Sequence, residues 1–373
     1  MKNKNTHLHK LLNFNTSIFR HFTVYFIMVG LFTVACQSDK KQNLAASAAD
    51  QGEVVLKPIF ITEPSLNDTD DPAIWINSKD PSKSLIIGTD KGEENGGLYV
   101  YDLKGKIQKD KTVLGLKRPN NVDVEYGLIL GGDTIDIAVA TERGRNAIRV
   151  FKLPEMEAID GGGITVFEGE QQRLPMGIAL YKRPSDGSIF AFVGRKEGPV
   201  DGYLWQYQLQ DSGNGQVSAS KVKAIGKYSG IKEIEAIAVD DELGYLYYSD
   251  ENVGVRKYYA DPDSSNVELA LFATDGFTDD HEGISIYKVN EKTGYILVSD
   301  QQANKFHLFP REGSKNNPHQ HTLIQIVNTS TIESDGSETT SVNLGPDFPQ
   351  GMFVAMSDDR TFQIYRWEDL MSK

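Results

Sequence analysis

Beyond residue 53 the chain is patterned in short apolar runs of strand length, and one run recurs at a steady interval. Its copies are Leu98-Tyr99-Val100-Tyr101, Ile148-Arg149-Val150-Phe151, Leu204-Trp205-Gln206-Tyr207, Val255-Arg256-Lys257-Tyr258, Phe306-His307-Leu308-Phe309 and Phe362-Gln363-Ile364-Tyr365, rich in the branched and aromatic residues that favour strands. Successive copies start 50, 56, 51, 51 and 56 residues apart. A more apolar run precedes each and ends in a polar group: IIGTD at Asp90, IAVATE at Glu142, FAFVGR at Arg195, LYYSD at Asp250, ILVSD at Asp300 and FVAMSD at Asp358. Earlier still lie DPAIWI, NVDVEY, MGIALY, EAIAVD, EGISIY and DGSETTSV, and outer strands are predicted at KTVLGL, GITVFEG, VKAIGKY, VELALFA and TLIQIV. Four short strands in a period of fifty-odd residues predict a propeller blade. Six copies predict an all-β, six-bladed β-propeller with four-stranded antiparallel blades. The sixth copy reaches Lys373 without a fourth strand, and VVLKPIFIT (54–62) is predicted to supply it. That pairing closes the ring and removes a free sheet edge. A β-sandwich does not predict six evenly spaced copies, and no helical periodicity competes after Cys36.

The first 35 residues follow another pattern. Lys2, Lys4, Lys10 and Arg20 come with no acid, and an apolar run follows over 22–35, the length of a signal-peptide core and too short to span a bilayer comfortably. It ends Thr33-Val34-Ala35-Cys36, which resembles a bacterial lipobox, with an ordinary signal peptide as the alternative. The expected domains are a signal peptide (1–35), a lipidated Cys36 with a flexible tether (36–52), and the propeller (53–373). The expected location is the cell envelope, as an exported lipoprotein, or the exterior if secreted. Cys36 is the one cysteine among 373 residues, so no intramolecular disulfide or Cys-based metal centre exists. The net charge of −13 becomes −17 once the four leader cations are removed. An acidic body argues against nucleic acid as a partner, because phosphate backbones demand clustered Lys and Arg. The membrane is expected to be met only through the lipid on Cys36, and the protein is expected to be a monomer.

The innermost strand of each blade lines a propeller's axial channel, and loops at one end form the binding face. The residues expected to open the six inner strands are Asp71, Asn121, Met176, Glu235, Glu282 and Asp335, with Asp70, Asp279 and Asp280 nearby. Four carboxylates around one axis repel one another unless a cation is present. An oxygen-only donor set predicts a hard cation, and flexible multi-carboxylate sites suit Ca²⁺ better than Mg²⁺. A second ring follows the next strands: Lys91, Arg143 and the pair Arg195-Lys196 on one side, Glu251 and Gln301 on the other. Bases beside a carboxylate and calcium cluster are what a polyanionic phosphate substrate requires.

These motifs resemble a known family. DTDDPAIW (68–75) looks like the DADDPAIW signature of the β-propeller phytases, the calcium-dependent alkaline phytases. Asn120-Asn121-Val122-Asp123, Lys196-Glu197-Gly198, Asp240-Asp241-Glu242 with Gly244, Asp280-His281-Glu282-Gly283, and Gly345-Pro346 with Gly351 match further motifs in order. The resemblance implies hydrolysis of phytate (inositol hexakisphosphate), or of its calcium complex, with several calcium ions, catalytic and structural. It implies calcium ligands at Asp71, Glu235, Glu251, Asp280, Glu282, Gln301 and Asp335. It implies phosphate contacts at Lys91, Arg143 and Lys196, to which the adjacent Arg195 is added. A family tyrosine that contacts phosphate aligns with Met176, and a family acid upstream of the first signature falls on Ile61 or Glu63.

Other phosphatase chemistries lack their residues. No RHGxRxP-type segment is present, and Cys36 sits in the leader. Water is therefore the expected nucleophile, bridging calcium ions beside Glu235, with Lys91 and Arg143 offsetting the charge that develops at phosphorus. The alternative reading is a calcium-stabilised propeller that is a lactonase or a non-catalytic binding lipoprotein. Such a protein has no need of the basic arc Lys91, Arg143 and Lys196.

Overall fold

A computed structural model of the chain describes residues 54–372. The chain divides into two units, Met1–Gly52 and Glu53–Lys373. The expected signal segment, Cys36 and tether lie outside the described residues.

The second unit is a six-bladed β-propeller. Blade one orders Thr69–Trp75, Leu85–Asp90, Gly96–Tyr101 and Val113–Leu116 from axis to rim. Blade two uses Pro119–Leu130, Asp133–Glu142 and Ala147–Leu153. Its outer strand is split into Glu157–Ala158 and Ile164–Thr165 because Gly161, Gly162 and Gly163 between them all have positive φ. Blade three runs Pro175–Lys182, Ile189–Arg195, Asp201–Asp211 and Val217–Lys227, and blade four Ile237–Asp240, Tyr245–Asp250, Gly254–Tyr259 and Ala270–Phe272. Blade five runs Ile284–Lys288, Gly294–Asp300, Lys305–Pro310 and Gln325–Thr329; blade six runs Ser337–Thr340, Met352–Ser357 and Thr361–Arg366.

The 54–62 segment closes the ring, and it does so twice. Phe60–Ile61 pairs antiparallel with Thr361–Arg366, as the sequence predicts. Val55–Leu56 adds a fifth, parallel strand to blade five, which the repeat pattern does not announce.

Second strands are buried along their whole length in blades one and three, because neighbouring blades cover both faces. This is why they read as unbroken apolar runs. The core therefore lies between blades. Val139, Val150, Ile178 and Val193 of blades two and three meet in one such layer, and Leu246, Tyr248 and Phe192 of blades three and four in another. The single α-helix among the described residues, Trp367–Met371, caps blade five by stacking Trp367 on Tyr287 at 3.5 Å between ring centroids. No described helix is long and apolar enough to cross a membrane.

Candidate active site

Strand pairing fixes which residue of each inner strand faces the mouth. Pro72, Val122, Ile178, Ile237, Ile284 and Ser337 are equivalent, each opposite the corresponding residue of the second strand. Two residues earlier stand Asp70, Asn120, Met176, Glu235, Glu282 and Asp335, which form the inner ring. In blades one to three the register shifts by one residue just there, a bulge that sets Asp70 and Asn120 where Asp71 and Asn121 are expected. Successive strand residues point to opposite faces. Asp71 thus turns away and accepts the Val122 amide at 3.1 Å. It lines an axial cavity of about 430 Å³ with Asp123, Glu125, Asp241, Glu338 and Lys288.

The second ring is built by tight turns that follow the second strands. Arg143–Arg145 and Gln301–Ala303 are single 3₁₀ turns, closed by Asn146 and Asn304 in the left-handed region. Lys91, Arg143, Lys196, Glu251 and Gln301 each occupy the first position after a strand that ends at Asp90, Glu142, Arg195, Asp250 or Asp300. Their main-chain amides are bonded back to the loop that enters the inner strand of the same blade.

The two rings meet in one connected cluster. Lys91 Nζ lies 2.8 Å from Asp335 Oδ2 and 3.3 Å from Asp70 Oδ1. Gln301 Nε2 donates to Asp335 Oδ1, and Gln302 Nε2 donates to both Gln301 Oε1 and Asp280 Oδ2, at 2.6 and 2.7 Å. Asp280 also accepts from Asn252 at 2.7 Å and pairs with Lys232, which reaches on to Glu251 Oε2 at 3.4 Å. Oxygens of Glu251, Glu235 and Glu282 lie within 4.8 Å of one another. Asn120 donates to Glu235 and accepts from Arg143, whose guanidinium also contacts the Met176 sulfur.

Lys196 sits at the edge, paired with Glu233 at 2.9 Å. Arg195 is not brought in. Its buried guanidinium pairs with Glu170 and lies over the Phe167 ring at 4.6 Å. Glu63 is also elsewhere, accepting the Ile107 amide at 2.9 Å. Four participants escaped the sequence reading: Asn120, Asn252, Lys232 and Gln302. Asn120 was within reach, since the repeat register makes it the counterpart of Glu235. Lys232 stands three residues before Glu235, where blades two and three carry Lys117 and Arg173, and Gln302 is the counterpart of Asn252, so the register reached these too.

The electrostatics are those of carboxylates crowded together and buried. Burial, then the Glu235 charge, push Glu251 up to about 8. Burial pushes Asp70 up to about 7, against Lys91, and burial with the Asp70 charge does the same to Asp335. Glu282 and Glu235 are raised for the same first reason, Glu282 well above the carboxylate range. Burial also opposes the charge on Lys91, but Asp70 and Asp335 outweigh it and push its pKa up. Asp280 goes the other way: burial is outweighed by hydrogen bonds from Lys232, Gln302 and Asn252, which hold it low. Both Glu251 oxygens, Glu282 Oε2 and Asp70 Oδ2 are buried and accept no hydrogen bond. Buried oxygens without donors, converging from three blades, fit a hard cation.

The fold and site define a six-bladed propeller whose axial mouth joins a carboxylate cluster to an arc of bases. More particularly, the chain belongs to the phytase family. The phytase family model matches residues 33–368. The 3-phytase of Bacillus subtilis (strain 168) is 33% identical over 323 residues, covering 81% of this chain and 80% of that protein. The chain is accordingly a phosphoric monoester hydrolase. Among solved structures, that of U3-55K covers 79% of this chain and 80% of its own at a TM-score of 0.46 and 9% identity.

Proposed function

We propose that this protein hydrolyses phosphomonoesters of phytate in a calcium-dependent reaction, releasing inorganic phosphate. One observation carries the reading. The same cluster holds buried carboxylate oxygens without hydrogen bonds, at Glu251, Glu282 and Asp70, and bases beside them, Lys91 paired to Asp335 and Arg143 held by Asn120. The carboxylates suit cations, the bases suit phosphate oxygens, and a calcium-bound phosphate ester needs both.

Glu235, Glu251 and Glu282 would hold calcium between them, with Asp70, Asp280, Asp335 and the Gln301 carbonyl oxygen as further ligands. Calcium supplies positive charge against the substrate's phosphate oxygens and acidifies water. Lys91 and Arg143 donate to the non-bridging oxygens of the phosphate and stabilise the charge that builds on them. Asn120 orients this step, because it holds Arg143 with its carbonyl oxygen and Glu235 with its amide nitrogen. Glu235, kept basic by burial and by the Asp335 charge, takes the proton of the attacking water. Lys196 reaches a more distant phosphate from the rim. The test is phosphate release from phytate with added calcium and again in excess chelator. Full release in chelator removes calcium from the mechanism, and no release with calcium removes phytate as the substrate.

Location belongs to the same proposal. Lipidation of Cys36 would tether the propeller to a cell-envelope membrane by the 37–52 segment.

A further inference from the structure

The hydrogen bond that fixes each second-ring residue defines a third ring. The amides of Lys91, Arg143, Lys196, Glu251 and Gln301 donate to the carbonyls of Asp68, Arg118, Leu174, Glu233 and Asp280. Each acceptor stands two residues before an inner-ring residue. From this ring the acids reach the cations of the mouth. Asp68 is 3.7 Å from Lys91, Glu233 is 2.9 Å from Lys196, and Asp280 pairs with Lys232. Arg118 is the one base among the five.

Three features set Arg118 apart. Its backbone is left-handed, at φ 50°, a conformation that resists any residue with a Cβ. Its Nε is buried and has no acceptor. Its carbonyl accepts the Arg143 amide at 3.0 Å, so the two arginines are tied at the backbone, and its charge opposes that of Arg143. In the free protein it ion-pairs with Glu93, whose side chain is 69% exposed on the loop after Lys91. Two like charges tied through one backbone hydrogen bond, one of them on a strained backbone, are unfavourable alone and favourable around a shared anion.

We propose that Arg118 is a fourth base of the substrate arc, forking a phosphate of the substrate together with Arg143, and that Glu93 occupies Arg118 until that phosphate displaces it. The identity of the anion rests on the phytase reading, whereas the fork itself needs only a polyanion of the phosphate or sulfate ester class.

The decisive measurement is calorimetric titration of the calcium-loaded full chain with inositol hexasulfate, which binds without being hydrolysed. Arg118→Gly should bind at least about tenfold more weakly, the loss expected for a charge-assisted contact. It should melt no earlier than wild type, because glycine relieves the left-handed strain. Arg118→Lys should recover part of the affinity, and Glu93→Gln should bind more tightly than wild type. The gain from Glu93→Gln should vanish when Arg118→Gly is added. If Arg118→Gly melts earlier, Arg118→Gln decides, since it keeps the backbone and length and loses only the charge. Wild-type affinity in Arg118→Gly or Arg118→Gln, or a wild type that does not bind inositol hexasulfate, overturns the proposal. Phosphate release from phytate by the wild type judges the phytase reading separately.

Discussion

Arg143 and Glu235 share Asn120, yet they serve opposite charges, and their removal should have opposite signatures. Arg143→Ala takes away a contact to the developing phosphate charge, so phytate turnover should fall by about an order of magnitude or more. Calcium affinity without substrate should hold or rise slightly, because a repulsive neighbour is gone. Glu235→Ala should lose calcium affinity and activity together. Steady-state kinetics and a calcium titration on the two variants check this. A pH dependence follows from the same carboxylates. A carboxyl raised by folding is protonated in the native chain where the unfolded chain has already ionised. The calcium-free protein should therefore lose stability as pH rises from about 4.5 to about 8, the interval over which Glu251 is shifted. Calcium binding requires the ionised form, so its stabilisation should grow across that interval; melting curves with and without calcium at several pH values show it. At this scale the sequence placed Glu235, Glu251, Asp280, Glu282, Gln301, Asp335, Lys91 and Arg143 in one neighbourhood. It put Asp71 for Asp70 because a one-residue bulge reverses the side-chain faces and leaves no trace in residue type. It put Arg195 on the face because a strand-end arginine reads as exposed, while Phe167 and Glu170 hold it buried.

Six blades were legible from spacing, since each repeat carries the same order of strands and a period of that length holding four strands is a propeller blade's. The closing segment was half legible. Phe60–Ile61 is demanded by the missing strand of blade six, but nothing demands Val55–Leu56, whose parallel pairing answers to an exposed edge of blade five. Separate truncations should resolve the two contributions. Beginning the chain at Lys57 removes only the parallel strand and should lower the melting temperature modestly. Beginning it at Glu63 also strips Phe60 from its place beside Ile364, leaves blade six with a bare edge, and should bring aggregation on heating. Thermal unfolding with light scattering compares them; equal melting of both truncations would leave the ring closure without energetic weight.

For the molecule as a whole, calcium bound as proposed would tie together several blades, since Glu235, Glu251 and Glu282 belong to blades four and five and Asp335 and Asp70 to six and one. A ligand that binds only the folded state stabilises by about 2.7 kcal/mol at a hundredfold excess over its dissociation constant. Excess chelator should therefore lower the melting temperature and abolish phosphate release together, and scanning calorimetry alongside the activity assay checks both. Lipidation is tested on the whole chain in its host: the wild type should partition into detergent, and Cys36→Ser should appear in the soluble fraction. A wild type that is wholly soluble and unmodified would mean that Cys36 carries no lipid. The twofold ring closure also sets a timetable. A ribosome makes Phe60 among the first residues of the propeller and its partner Ile364 among the last. At roughly 5 to 20 residues per second, those three hundred intervening residues take on the order of 15 to 60 seconds. For that time Phe60–Ile61 has no strand to pair with, although Phe60 can already pack on the blade-one core, and blade six cannot be completed. The nascent propeller thus stays an open arc, its sixth blade one strand short, until translation is nearly finished.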